Sequence, residues 1–263
     1  MDATDRRVQA GQAVYTRGSL RFYDAIVHGA SNRWLWRCPT AELLAMYDRN
    51  VSARHADIGV GTGLFLDRAR WPVARPEITL VDLNPVCLDA AARRIARFTP
   101  RKVVANVLEP LPADLGGPFQ SAGLTYLLHC VPGSIPEKAV MFDHLRHHLA
   151  PGARVFGATI VQGDAPRNRA ARRLMAIYNA KGVFSNTADR ADDLEYALAA
   201  RFAEVHVRRI GCVALFEADR GHHQAHDQQQ HLRQRPGQRR RRAAAGEPAA
   251  DPAEQQDREE WPR

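Results

Sequence analysis

The sequence predicts an α/β domain built as a three-layer sandwich. Its sheet has seven mostly parallel strands, with the last two in an antiparallel terminal hairpin. Three observations carry this expectation. Short β-branched runs alternate with amphipathic stretches up to about Ala218. A glycine-rich turn stands between the first such run and a helical stretch. The final two apolar runs are separated only by Gly211 and Cys212, too short for a crossover, so one of them must run antiparallel.

In chain order, the first fifty residues read as helices. Val14, Leu20, Tyr23, Ile26 and Val27 recur at helical spacing, and Leu43, Leu44, Met46 and Tyr47 do so after Pro39 and Thr40. Thr40 is the expected N-cap, because its hydroxyl can accept from a first-turn amide. Strands are expected at His55–Ile58, Ile78–Val81, Val103–Val104, Leu124–Leu128, Val155–Ile160, Val205–Ile210 and Val213–Phe216. Helices are expected near Gly63–Ala69, Pro85–Phe98, Glu137–Leu149, Arg167–Asn179 and Ala191–Ala200. From Asp219 to Arg263 large apolar residues almost vanish, so residues 219–263 are expected to be a disordered tail. The divisions are therefore 1–50, helical; 51–218, the α/β domain; and 219–263, the tail.

Composition excludes several classes. The 263 residues are 45% apolar and 25% charged, which suits a soluble domain with a full core. No apolar run approaches the roughly 20 residues of a membrane span, and the start lacks the apolar stretch of a secretory signal. Cys38, Cys87, Cys130 and Cys212 lie far apart without a C-x-x-C pair, so neither a metal cluster nor a disulfide framework is expected, and a cytoplasmic address is. The net charge of +8 comes from 37 basic residues, of which only Lys102, Lys138 and Lys181 are lysine. Outside Arg239 to Arg242 the arginines are scattered, which describes a solvated surface better than a nucleic-acid groove.

The strongest local signal is HADIGVGTGLFL at residues 55–66. An apolar strand closes on Asp57 and Ile58, turns through Gly59, Gly61 and Gly63, and enters a helix. Glycines accept positive φ and let a ligand lie against bare backbone, and loop amides beside a helix start favour an anionic group. A tight structural turn would use glycine too. The second signal is Asp82, at the end of the next strand and 19 positions beyond Gly63. A carboxylate at about that distance accepts hydrogen bonds from both ribose hydroxyls of a bound nucleoside. An acid opening the turn before Asn84 and Pro85 also serves as a structural cap, although that role does not account for the spacing.

A dinucleotide turn would carry its third glycine at position 64, where Leu64 stands. The G-x-G-x-G form with Asp57 two residues ahead resembles motif I of the class I S-adenosylmethionine-dependent methyltransferases. The resemblance covers about residues 14–218. It extends to Asp82, to Asn106 through Pro110 after the third strand, to Tyr126 through Cys130 after the fourth, to Leu149 through Gly152, and to the closing hairpin. Stretches such as Trp36 to Pro39, Leu128 to Gly133 and Asn179 to Asn186 look like a small-molecule subgroup.

The resemblance implies a Rossmann-like fold and S-adenosyl-L-methionine as cofactor. By position, Asp57 would orient the loop and neighbour the methionyl ammonium. Gly59, Gly61, Thr62 and Gly63 would contact the methionyl and ribose portion, and Asp82 the ribose. Leu83 would meet the adenine face, and Asn106 with Val107 the adenine edge. Two positions depart from the family: Asn106 stands where an acid is common, and Gln120 with Ser121 stands where an acid often leads the fourth strand. The asparagine still offers an amide oxygen as acceptor.

The reaction implied is methyl transfer to an oxygen or nitrogen of a small molecule, mainly by alignment of the nucleophile. Aromatic rings near a sulfonium stabilise it by cation–π attraction; Tyr15 and Tyr23 are the candidates, with packing of a helix as the other role. His129, just past the fourth strand, is the candidate base; otherwise it hydrogen-bonds backbone and holds the loop Cys130 to Gly133. The N-terminal helices would cap the acceptor side, with residues 162–186 (Tyr178, Asn179, Lys181, Phe184, Asn186) forming either a pocket wall or a helix terminus. Trp34 and Trp36 either line the pocket or sit in the core, and the core is the expectation. An RNA methyltransferase, a nicotinamide-dependent oxidoreductase and a non-catalytic relative of the fold remain as rivals. The oligomeric state is left open.

Overall fold

The computed structural model describes residues 31–163 and 165–221. Strands β1 (Arg54–Ile58), β2 (Glu77–Asp82), β3 (Arg101–Val104), β4 (Phe119–Thr125), β5 (Leu149–Ile160), β6 (Glu204–Ile210) and β7 (Val213–Asp219) form one sheet in the order β3-β2-β1-β4-β5-β7-β6. The pairs from β3 through β5 are parallel, and β7 inserts antiparallel between β5 and β6. The two-residue link forces that insertion. Gly211, at φ 58°, makes the turn.

The central strands are buried along nearly their whole length, β1 at His55 to Ile58 and β5 at Val155 to Ile160. Burial on consecutive residues requires cover on both faces, as parallel sheets with crossover helices provide. Strand β6 alternates exposed and half-buried residues, as an edge strand does. The crossover helices are α2 (Leu64–Arg68), α3 (Pro85–Arg94), α4 (Ile135–Lys138), α5 (Val140–Arg146), α6 (Arg169–Ala180) and α7 (Ala191–Ala199). Helix α1 (Thr40–Asn50) precedes β1 and packs on β5, burying Leu43, Met46 and Tyr47 in the same core as the sheet.

Several boundaries differ from the sequence expectation for local reasons. Thr40 is the first residue of α1 rather than its cap; Pro39 holds that position, and the Thr40 hydroxyl accepts from Asn32 Nδ2 at 3.0 Å. Strand β4 stops at Thr125 rather than Leu128, because Tyr126 turns to φ 62° and residues 128–130 form a 3-10 turn. The stretch 137–149 is two short helices. A capping box between Ser134 and Glu137 starts α4, and Ala139 links α4 to α5. Strand β5 begins at Leu149, six residues early, with an irregular register opposite Phe119 and Ser121. Asn84 caps α3 by accepting from the Val86 amide at 2.9 Å, with Pro85 as the first helical residue. Trp36 is buried, whereas Trp34 is 69% exposed. Tyr15, Tyr23 and nearly all of the tail lie outside the described residues.

Candidate active site

The strand order reverses between β1 and β4, since β2 and β3 lie to one side and β4 and β5 to the other. Open α/β sheets leave a crevice at the carboxyl ends of such a pair. A cavity open to solvent occupies that place here. Asp57, Gly59, Gly61, Thr62, Gly63, Asp82, Leu83, Asn106 and Val107 all line it. Residues separated by up to fifty positions are brought together because each lies at or just beyond the end of one of three neighbouring parallel strands.

The loop after β1 explains its glycines individually. All three take positive φ (73°, 51° and 73°). At Gly63 an added Cβ would stand 3.0 Å from the Ala91 backbone, so the glycine admits α3 against the loop. At Gly61 an added Cβ would meet nothing within 4 Å. The space above that backbone is open, as a ligand lying on it requires. Helix α2 has only five residues, so the loop amides, not a helix dipole, are the polar feature here.

The Asp82 carboxylate does two jobs. Its Oδ1 accepts from the Asn84 amide at 2.8 Å, which is the structural cap, and the carboxylate also accepts from the amides of Val60 and Gly61. Burial pushes its pKa up to about 6, with the Asp57 charge adding, while the three amides pull it back. Asn106 closes an Asx turn: its Oδ1 accepts from the Leu108 amide at 3.1 Å and its Nδ2 donates to Glu109 at 2.9 Å. Thr62 is buried, its hydroxyl accepting from Arg94 Nη1 at 3.1 Å.

Asp57 is buried and receives the Tyr47 hydroxyl at 2.9 Å. Burial raises the Tyr47 pKa far above its ordinary value and the Asp57 charge raises it further, so its proton stays in place. The remaining cavity wall is largely apolar: Phe65, Leu66, Leu127, Val131 and Pro132, with Cys130 and Tyr126 among them. Tyr47 and Thr125 also line it. Neither was a site candidate from the sequence, since a helix-face tyrosine and a strand-end threonine carry no spacing signal.

His129 lies behind this wall. It does not line the cavity, although its neighbours Cys130 and Val131 do. The ring is 4% exposed, edge-on to Phe184 at 4.6 Å and to Tyr126 at 5.7 Å. Its Nδ1 accepts from the Ile160 amide at 3.3 Å, and burial, followed by the nearby Lys138 charge, lowers its pKa to about 3. An imidazole in this setting ties the loop to β5, the second of the two roles its position offers.

The segment after β5 also supports the other of its two readings. Tyr178, Asn179, Lys181, Phe184 and Asn186 do not line the cavity. Asn186 is fully buried, accepting from Gln162 at 2.8 Å and from Asn179 at 3.0 Å and donating to the Ile160 carbonyl at 2.8 Å. Phe184 packs on Trp36, His129 and Tyr178. Beneath them Lys138 Nζ donates to Asp189 Oδ2 and to the Ser185 carbonyl, both at 2.6 Å. Among the described residues no group of three His, Cys, Asp or Glu side chains could hold a metal, and no helix is long and apolar enough to cross a membrane.

A seven-stranded sheet with β7 inserted antiparallel, a glycine loop under open space and an acid closing β2 together define a nucleoside-binding methyltransferase fold. The comparisons agree. A family model for the methyltransferase domain matches residues 56–155. Demethylluteothin O-methyltransferase of Streptomyces thioluteus is 44% identical over 214 residues, 81% of this chain and 93% of that protein. Physcion biosynthesis cluster O-methyltransferase of Aspergillus chevalieri is 36% identical over 80% of this chain and 95% of its own length. Among solved structures, the DhpI complex with S-adenosylhomocysteine superposes with TM-score 0.58 at 14% identity, covering 81% of this chain and 96% of that one. The N-methyltransferase NodS from Bradyrhizobium japonicum WM9, also in complex with S-adenosylhomocysteine, gives 0.51 at 15% identity, covering 83% and 98%. The chain belongs to the class I S-adenosylmethionine-dependent methyltransferases. It is an enzyme of that family.

Proposed function

We propose that this enzyme transfers a methyl group from S-adenosyl-L-methionine to a hydroxyl oxygen of a small, largely apolar acceptor made in secondary metabolism. The observation that carries the site assignment is the open space over Gly61, flanked by the carboxylates of Asp82 and Asp57. Support for oxygen as the acceptor atom comes from the names of the Streptomyces and Aspergillus relatives.

The donor set fits the group. Asp82 would accept the ribose hydroxyls, and Leu83 would cover one adenine face. The Asx turn of Asn106 would fix the Val107 backbone at the adenine edge. Gly59, Gly61, Thr62 and Gly63 would underlie the ribose and methionyl chain, and Asp57 would face the ammonium. When bound, the cofactor supplies a methyl carbon made electrophilic by the attached sulfonium. The apolar wall from Phe65 to Pro132 excludes water and orients the acceptor, and such alignment supplies about 7–11 kcal/mol of a barrier in favourable cases. Residues 1–50 would complete the acceptor side as a cap on the domain of residues 51–218, with Tyr15 as a candidate ring beside the sulfonium. The enzyme would work in the cytoplasm and without nucleic acid.

Isothermal titration with S-adenosylmethionine and S-adenosylhomocysteine tests this directly; no heat with either ligand would overturn it. Protection from thermal unfolding by NAD instead would favour an oxidoreductase. A second test uses pH. Ribose hydroxyls donate to an ionised Asp82, so protonation competes with the ligand. Affinity for S-adenosylhomocysteine should be level above pH 6 and fall below it, approaching about tenfold per pH unit. The same raised pKa acts oppositely on the ligand-free protein. Its contribution to stability is full below the unfolded value near 3.8 and is lost as pH rises through about 6. Affinity that does not change between pH 7 and pH 5 would exclude Asp82 as the ribose ligand.

A further inference from the structure

Under the cavity floor lies a connected set of buried polar groups that ends on Asp57. The Ser52 amide donates to Ser121 Oγ at 2.9 Å, and the same hydroxyl stands 2.8 Å from His55 Nδ1. With Nδ1 accepting, the ring proton of His55 sits on Nε2, and Nε2 faces Asp57 Oδ2 at 3.5 Å. The Tyr47 hydroxyl donates to the same Oδ2 at 2.9 Å. Because a carboxylate oxygen can only accept, the tautomer with Nε2–H toward Asp57 and Nδ1 accepting from Ser121 is the neutral form that satisfies every group from Ser52 to Asp57.

The rings that carry this set are themselves locked. His55 stacks on Phe156 and meets Trp71 edge-on, with centroids 5.8 and 5.5 Å apart. Tyr47 stacks on Phe65 at 5.2 Å and meets Phe156 edge-on at 5.0 Å. Gly123 of β4 leaves the room: an added Cβ would lie 3.1 Å from Asp57 Oδ2 and 3.3 Å from the Tyr47 hydroxyl. Next to the Tyr47 hydroxyl, at the cavity wall, the Thr125 hydroxyl is buried without a well-formed hydrogen bond. Buried hydroxyls rarely go unsatisfied, so a ligand group is the natural partner at that spot.

Resting on the cofactor assignment above, we propose that Ser121, His55 and Tyr47 are positioning residues that fix the Asp57 carboxylate. This relay, with the Thr125 hydroxyl, sets affinity for the amino-acid end of the ligand and not for its nucleoside end. A carboxylate oxygen held by two donors cannot swing away from the cavity, and the pairing energy with a bound ammonium then costs no reorganisation. Ser121 stands where the family often places an acid, so in this chain a hydroxyl and an imidazole do from beneath what a second charge would do alongside.

Two ligands separate the ends: S-adenosylhomocysteine carries the amino acid, and 5′-methylthioadenosine lacks it. In Tyr47→Phe and in Ser121→Ala, which leaves the cavity lining untouched, the affinity for S-adenosylhomocysteine should fall roughly tenfold, the worth of one oriented hydrogen bond. Affinity for 5′-methylthioadenosine should stay within about twofold by the same reasoning. Nitrogen-15 spectra of the wild type should show His55 as the Nε2–H tautomer, and Ser121→Ala should perturb that signal. Equal losses for both ligands, an unchanged affinity for S-adenosylhomocysteine, or an Nδ1–H tautomer in the wild type would each overturn the relay alone. Wild-type protein that binds neither ligand would overturn the cofactor assignment, and the relay with it.

Discussion

Replacing Lys138 with methionine should destabilise the enzyme by about 3–5 kcal/mol, a fall in melting temperature of roughly 10 °C for a domain of this size. Lys138 and Asp189 are 0% and 1% exposed and 2.6 Å apart. Burial lowers the Lys138 pKa and raises that of Asp189, so desolvation opposes the charge on each partner even as the pair holds them together. One oxygen, Asp189 Oδ1, has no hydrogen-bond partner. Removing the lysine leaves a buried carboxylate with neither counter-charge nor water. The Asp189 carbonyl accepts the amides of Gln162 and Gly163, so the fault would spread to the end of β5. The double variant Lys138→Met with Asp189→Leu should recover more than half of the loss, since an apolar pair of similar volume needs no desolvation. Urea or thermal unfolding reads both values. A single variant within about 1 kcal/mol of wild type would show that water reaches the pair.

Asp82→Ala should have the largest effect on ligand binding. Two hydrogen bonds from ribose hydroxyls to a charged acceptor contribute about 1.5–3 kcal/mol each, so affinity for S-adenosylhomocysteine should fall by a hundredfold or more. The cost in stability should be small. The ionised carboxylate sits above its ordinary pKa in the folded protein, so its removal relieves an unfavourable charge while freeing the Asn84, Val60 and Gly61 amides. The two effects oppose each other. Titration calorimetry beside a melting curve gives the comparison. A large drop in melting temperature together with modest loss of affinity would assign Asp82 to the turn before α3 and take it out of the ligand site.

The contrast between these residues shows what could be read from the chain. Asp82 was legible because it combines a fixed distance from Gly63 with a place at the end of an apolar run, and one motif carries both. Gly59, Gly61 and Gly63 were legible because positive φ leaves few alternatives to glycine. Lys138 and Asp189 were not, since a lysine on an amphipathic stretch reads as surface and its partner lies 51 residues away. His129 was placed correctly at the carboxyl end of the fourth strand, yet its role depends on where the ring turns. The 3-10 turn that begins at Leu128 sends it under Phe184, a fact of packing. His55 stood inside the strongest motif and looked like one more strand residue.

Local conformational rules and periodicity were enough to fix the class of fold, the antiparallel last pair and the glycine floor, because each arises from neighbours a few positions apart. Which polar side chains face the crevice, and which are sealed beneath it, depended on long-range packing. Tyr47 reaches Asp57 only because α1 lies on β5, and Ser121 reaches His55 only because β4 pairs with β1. Contacts of that kind are made between segments far apart in the chain, where spacing along the sequence carries no information about distance in space.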